Sequence, residues 1–194
     1  MLRLDLVVGP NGSGKSTFVR LTLIRVLPSG VAFVNADEIA QHRWPSDPAS
    51  HAYDAAKVAA RTRAALIAAG QPLIAETVFS HPSKLDLIDE AHAAGYTVSL
   101  HVLLLPAELA VSRVAHRVGA GGHSVPEDKI RQRYEWLWPL VVTAMTRSDA
   151  ATVYDNSGIS GPRIVAQLAG GAPVGALQWP AWAPEPLRAA WPRT

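Results

Sequence analysis

The chain contains no cysteine, which excludes disulfides and thiolate-held metals. It has no apolar run near the roughly 20 residues that a membrane span needs. It opens MLRLDLVVG, without a basic-then-apolar leader, so no signal peptide or membrane partner is expected and the cytoplasm is the expected compartment. Net charge is also small. A formal +2 gives no argument for a nucleic-acid partner. A track for single strands would need stacking aromatics in a basic setting, and Trp44, Trp136 and Trp138 are too scattered for one.

What the chain does have is an apolar fraction of 48% over 194 residues, enough for one packed domain. Of its 18 basic residues, 14 are arginine. The planar guanidinium suits bidentate phosphate contacts. Alanine and arginine richness can equally be a compositional habit of the source genome.

Leu2–Val8 (LRLDLVV) reads as a buried strand running into a glycine-rich turn. A helix is expected from about Lys15 to Leu27, then strands at Val31–Asn35 and Pro72–Ala75. His51–Ala69 has no internal glycine or proline and ends at Gly70, so it reads as a helix. Further helices are expected at Ser83–Ala94, Ala107–Val118, Pro126 to about Met145 with a possible kink at Pro139, and Pro162–Leu168. Thr97–Leu105 and Ala151–Tyr154 read as strands. This alternation predicts an α/β fold, a three-layer sandwich with a mostly parallel sheet and one ligand edge at the strand C-termini. From Gly170 onward the composition shifts, with five prolines and three of the six tryptophans in the last 25 residues. Residues 170–194 are therefore expected as an extended tail, docked on the core surface or frayed, after a domain of residues 1–169.

Gly9-Pro10-Asn11-Gly12-Ser13-Gly14-Lys15-Ser16, followed by Thr17, fits G-x-x-x-x-G-K-[ST] without deviation. It stands between a predicted strand and a predicted helix, the context of a phosphate-binding P-loop. Backbone N–H groups and the helix N-terminus would hold ATP phosphates, Lys15 would reach the β- and γ-phosphates, and Ser16 would ligate Mg²⁺. No Asn-Lys-x-Asp and no Leu-Ser-Gly-Gly occurs, which disfavours a GTPase switch and a transporter ATPase, and the chain is short for a helicase. A small P-loop kinase fold with a helical lid is left.

Such an enzyme needs an acceptor-side base. Asp37 follows the second strand at the ligand edge, where it is either that base or a helix N-cap. Glu76 ends the third strand at the same edge and could hold the magnesium water shell, grip substrate, or be a capping acid. Asp5 and Asp86 have no such placement and read as solvated. Arg113 and Arg117 are four apart and share a helix face. The loop GAGGHSVPED follows, then a helix bearing Arg131 and Arg133. Helix, glycine loop and helix from about 113 to 133 read as a lid whose arginines meet charge developing on the transferred phosphoryl group. His123 in that loop is either a donor to phosphate or acceptor, or incidental. Arg43 and Lys84, after the two acid-bearing segments, could face the same cleft.

The segments NADEIA, AETVFS, RVAHRV, GGHSVP, KIRQRY and YDNS together resemble the zeta toxin family of small P-loop kinases, over about Leu2 to Ser157. The run R-V-x-x-R-V-x-x-G-G-H-x-V-P carries the specificity of that resemblance. The resemblance implies ATP-dependent phosphorylation of the 3′-hydroxyl of UDP-N-acetylglucosamine and a possible antitoxin partner. It implies that Asp37 is the base, Lys15 and Ser16 the nucleotide grip, Glu76 and the adjoining Thr77 a substrate-side segment, and Arg113 a lid arginine on phosphates. The sequence departs twice. Val78 stands where the family's E-x-T has threonine, and His123 stands near where a second lid arginine would be, with Arg117 as a possible substitute. The other readings are a kinase of another hydroxyl metabolite, such as a nucleoside or antibiotic, and a nucleotide-binding module without transfer.

Overall fold

The computed structural model describes residues 2–27, 30–119 and 125–192. Its centre is a seven-stranded sheet in the order β2-β3-β1-β4-β5-β6-β7. The strands are β1 (Arg3–Val8), β2 (Ala32–Asn35), β3 (Leu73–Thr77), β4 (Thr97–Leu104), β5 (Ala150–Asp155), β6 (Arg163–Ala169) and β7 (Ala172–Pro173). The first five in that order pair in parallel, while β5–β6 and β6–β7 are antiparallel. This is the mostly parallel α/β architecture of P-loop kinases.

Alternation along β1 shows why the sheet is covered on both faces. Leu4, Leu6 and Val8 join one apolar cluster, and Val7 joins another with Phe18, Val19 and Leu23. The second face is covered by α1 (Lys15–Phe18), a π-helical segment Val19–Leu23 and α2 (Ile24–Val26), which follow one another without a break. On the first face lie residues of α4 (Ala52–Ala68), α5 (Asp86–Ala93) and α7 (Glu127–Arg147). The remaining helices are α3 (Ala36–Arg43), α6 (Ala107–Gly119) and α8 (Glu185–Ala190). α7 runs on through Pro139, and the Ser83–Ala94 segment divides into a short 3₁₀ turn, Pro82–Lys84, and α5.

Two expectations are overturned. Pro162–Leu168 is not a helix, because Arg163–Ala169 forms β6 against β5. A single isolated turn or two of helix has little stability of its own. Here the run Ile164-Val165 adds β-branched side chains, and pairing with β5 buries Val165, Ala166 and Leu168. Asp5 is not solvated but 1% exposed. It lies on the covered second face of β1 and accepts hydrogen bonds from Arg3 Nε at 2.7 Å and from His101 Nε2 at 2.9 Å.

Residues 170–192 return to the core. Trp179, Leu187 and Trp191 belong to the larger apolar cluster, beside residues of α7 and β6.

Candidate active site

The loop after β1 leaves the sheet between β3 and β4, whose C-terminal ends flank it. Two glycines show why its sequence is so restricted. Gly9 has φ +152°, and a Cβ there would stand 2.5 Å from the Leu103 carbonyl oxygen. Gly14 has φ +83°, and a Cβ there would meet the Asn156 side-chain nitrogen at 2.8 Å. A side chain at Gly9 would therefore push the loop off the end of β4, while one at Gly14 would strain a left-handed backbone and displace the Asn156 amide. Lys15 is 8% exposed, and its ammonium donates to the carbonyls of Gly9 at 3.1 Å and Pro10 at 3.0 Å. Burial pulls its pKa below the ordinary lysine value, against the attraction of Glu76 and Asp37. Among the described residues these two carbonyls are the only hydrogen-bond acceptors of its ammonium.

Behind the loop, three side chains from three elements meet. Ser16 Oγ donates to Glu76 Oε1 at 3.1 Å, and Asn35 Nδ2 donates to Glu76 Oε2 at 2.8 Å. Glu76 is 9% exposed, and burial raises its pKa, opposed by Lys15 and Ser16. The other end of the Asn35 amide caps α3, its Oδ1 accepting from Asp37 N at 2.8 Å and Glu38 N at 3.4 Å. Asn35 therefore holds the N-cap position, and Asp37 sits in the first turn with its carboxylate exposed. The helix start explains Asp37 being near the loop without the carboxylate being consumed as a cap.

These groups line one cleft of about 530 Å³. It is bounded by Asn11, Gly12, Gly14, Lys15, Ser16 and Thr17 of the loop, by Asp37, Glu76, Thr77 and Val78, and by Arg113, Arg117 and Arg133. Arg113 is further fixed by donating to the Asn156 carbonyl at 3.0 Å, while Asn156 Nδ2 donates to the Ser13 carbonyl at 2.8 Å. Thr77 Oγ1 accepts from Phe79 N at 3.3 Å, leaving its own proton to donate.

The cleft thus gathers the loop, Asp37, Glu76, Thr77, Arg113 and Arg117, all singled out by sequence. His123 lies outside the described residues. Arg131 does not face the cleft. It pairs with Glu108 and Glu127 on the exposed outside of α6 and α7, and those two carboxylates hold its guanidinium there. Arg43 faces a separate groove with Ile39, His42 and Thr62. Sequence reasoning assigned no role to Asn35 or Asn156. Asn35 ends β2 and Asn156 directly follows β5, both at the ligand edge, which is the signal that could have raised them.

A divalent cation fits the oxygens present. The Ser16 hydroxyl and Glu76 carboxylate are in contact beside the phosphate loop. Among the described residues no group of three or more His, Asp or Glu is arranged to hold a metal. Mg²⁺ commonly takes one or two protein oxygens and completes its shell with phosphates and water.

The AAA domain family (AAA_33) matches residues 4–140. No curated protein matches the chain. Among solved structures, the AvrRxo1-ORF1:-ORF2 complex with ATP aligns with a TM-score of 0.67 and 17% identity, covering 89% of this chain and 60% of that one. This chain therefore spans less than two thirds of that relative. The PezAT chromosomal toxin–antitoxin system of Streptococcus pneumoniae aligns with a TM-score of 0.61 and 15% identity, over 97% of this chain and 83% of that one. A gluconokinase from Sinorhizobium meliloti 1021 aligns with a TM-score of 0.53 and 17% identity, over 79% and 82%. At these identities the likeness is one of fold.

Proposed function

The chain belongs to the AAA domain family AAA_33, and from that premise we propose that it is an ATP-dependent kinase of a small hydroxyl-bearing metabolite. The observation that carries the reading is the exposed Asp37 carboxylate in the same cleft as Lys15 and Ser16, with its cap role already taken by Asn35. In this reading the loop amides and Lys15 hold the β- and γ-phosphates of ATP. Asp37 accepts the proton of the acceptor hydroxyl as its oxygen bonds to the γ-phosphorus, and the bond from that phosphorus to the β,γ-bridging oxygen breaks, releasing ADP. Arg113, Arg117 and Arg133 stabilise charge on the moving phosphoryl group. Ser16 and Glu76 would hold Mg²⁺, which when bound neutralises phosphate charge. Of the roles open to Glu76, its bond to Ser16 favours this one over a grip on substrate.

The zeta toxin resemblance makes UDP-N-acetylglucosamine the first acceptor to test, with Thr77 beside it and Val78 in place of the family's threonine. It also brings a protein antitoxin forward as a partner. The experiment is incubation with ATP, Mg²⁺ and, in parallel, UDP-N-acetylglucosamine, gluconate, nucleosides, a 5′-hydroxyl oligonucleotide and a metabolite extract. Mass spectrometry should find one acceptor with one added phosphate. Asp37→Asn should keep ATP affinity and lose roughly 10²-fold in transfer. Near-normal transfer in that variant removes Asp37 as base. ATP binding without acceptor-dependent ADP from any mixture points instead to a binding module.

A further inference from the structure

Asn156 is the first residue past β5, and it meets three parts of the chain at once. Its backbone N–H donates to the Leu104 carbonyl at 3.1 Å, which seats it on the end of β4. Its side-chain Nδ2 donates to the Ser13 carbonyl at 2.8 Å, and its own carbonyl accepts from Arg113 Nη1 at 3.0 Å. α6 also touches the loop directly. A Cβ on Gly12 would stand 2.9 Å from the Ala110 carbonyl oxygen and 3.3 Å from Arg113 Cβ. The phosphate loop, the arginine-bearing helix and the sheet edge therefore share one junction, with Asn156 at its centre.

The bond to Ser13 acts on the far side of one peptide. In a planar trans peptide the C=O and the following N–H point in opposite directions. Gly14 is part of the cleft wall, whereas among the described residues Ser13 and Asn156 are not. A Ser13 carbonyl held toward Asn156 thus turns the Gly14 N–H toward the cleft. Among the described residues that N–H has no protein acceptor, so it is free to meet an anion. The backbone alone does not hold this orientation. Gly14 has φ +83°, and glycine takes either sign of φ with little cost, so the peptide can turn over. Turned over, it would aim a carbonyl oxygen at the phosphates. Ser13 is 0% exposed, and Asn156 Nδ2 is the one donor to its carbonyl among the described residues. Asn156 supplies what the phosphate-facing orientation requires, a partner for a carbonyl shut off from water.

We propose that Asn156 is a positioning residue for the phosphate loop. Its amide fixes the Ser13–Gly14 peptide with the Gly14 N–H toward the cleft, and its carbonyl sets Arg113 beside the same loop. This rests on the part of the kinase reading in which the loop holds phosphate, and not on transfer. The test uses calorimetry on wild type, Asn156→Ala and Asn156→Asp. Each is titrated, in the presence of Mg²⁺, with a non-hydrolysable ATP analogue and separately with inorganic tripolyphosphate. Asn156→Ala should weaken both ligands by the same factor, about tenfold or more, the scale of a lost hydrogen bond to a charged group. A residue that touched the base would cost the analogue and spare tripolyphosphate, and that split overturns the proposal. Asn156→Asp keeps the shape of asparagine but offers the Ser13 carbonyl only acceptors. Its carboxylate should turn the peptide over and take the Gly14 N–H for itself. In the ¹⁵N-labelled empty protein the Gly14 amide proton should then lie downfield of its wild-type position, and added tripolyphosphate should no longer shift it. If Asn156→Ala does not fold, this signal in the isosteric variant still decides. A Gly14 amide unmoved by Asn156→Asp, or wild-type affinities in both variants, overturns the role. A wild type that binds neither ligand removes the loop as a phosphate site and the role with it. Asn156-dependent binding of tripolyphosphate without transfer to any acceptor supports the role and sinks the kinase reading. Transfer and affinities that both variants leave at wild-type levels do the reverse.

Discussion

Asp5 shows how a single residue's surroundings set its worth. It sits on the second face of β1, near Phe18, with His101 of the neighbouring β4 and Arg3 two residues back donating to it. Burial pushes its carboxyl pKa up, but the bonds from His101 and Arg3 together outweigh burial and leave it below its ordinary value. A carboxylate whose pKa is depressed in the folded state stabilises that state above the unfolded pKa. The contribution disappears as pH falls through the folded pKa, so the window lies below about pH 4. Asp5→Asn should therefore cost about 3 kcal/mol at pH 7, since it strips a buried pair of one partner. The gap to wild type should shrink as acid is added. Urea denaturation of both proteins across pH 2.5–7 checks this, and a constant gap would mean that Asp5 acts by packing alone.

At the scale of elements, α6 and α7 are joined by an apolar cluster of Leu105, Ala110, Val114 and Ile130. Outside that cluster Arg131 bridges Glu108 and Glu127 on an exposed face. Arg113 and Arg117 emerge from the other side of α6 into the cleft. Two classes of arginine on one helix pair should then behave differently. Arg113→Ala and Arg117→Ala should each lower transfer by roughly 10²-fold and weaken ATP by much less, because charge on the moving group develops late. Arg131→Ala should leave both within about twofold, since solvent screens an ion pair on an exposed face. Steady-state kinetics with ATP binding measured separately decides it. Loss confined to ATP affinity in the first two would make them a ground-state clamp. The inward pair was readable because four-residue spacing on a helix is local information. The diversion of Arg131 was not, because its partner Glu108 is 23 residues away on another helix.

Across the whole molecule the same division holds. The phosphate loop is legible because strand, glycines and helix start are contiguous in the chain. What completes it is remote. Glu76 meets Ser16 across 60 residues, and Asn156 meets Ser13 across 143. β6 was misread because a six- or seven-residue apolar run has no decisive period of its own, and pairing with β5 settled it. The C-terminal residues are the largest case. Proline content speaks for irregular backbone, and much of 174–184 is irregular, yet three side chains there and beyond carry a large apolar area. Trp179 is 1% exposed, with its Nε1 donating to the Trp191 carbonyl at 2.8 Å, and Trp191 Nε1 donates to the Gly171 carbonyl at 3.1 Å. Gln178 N donates to the Val165 carbonyl at 2.7 Å, tying the segment to β6. Trp179 shares its cluster with Leu137, Trp138 and Val141 of α7, the helix that also carries Arg133 into the cleft. Trp179→Ala should accordingly destabilise the protein by about 3–5 kcal/mol, the cost of truncating a fully buried large aromatic. Unfolding should remain a single transition by tryptophan fluorescence and circular dichroism, because the segment and the sheet share one core. An early separate transition, or a loss below about 1 kcal/mol in urea, would mean that residues 170–192 fold as an appendage and the α/β core stands without them.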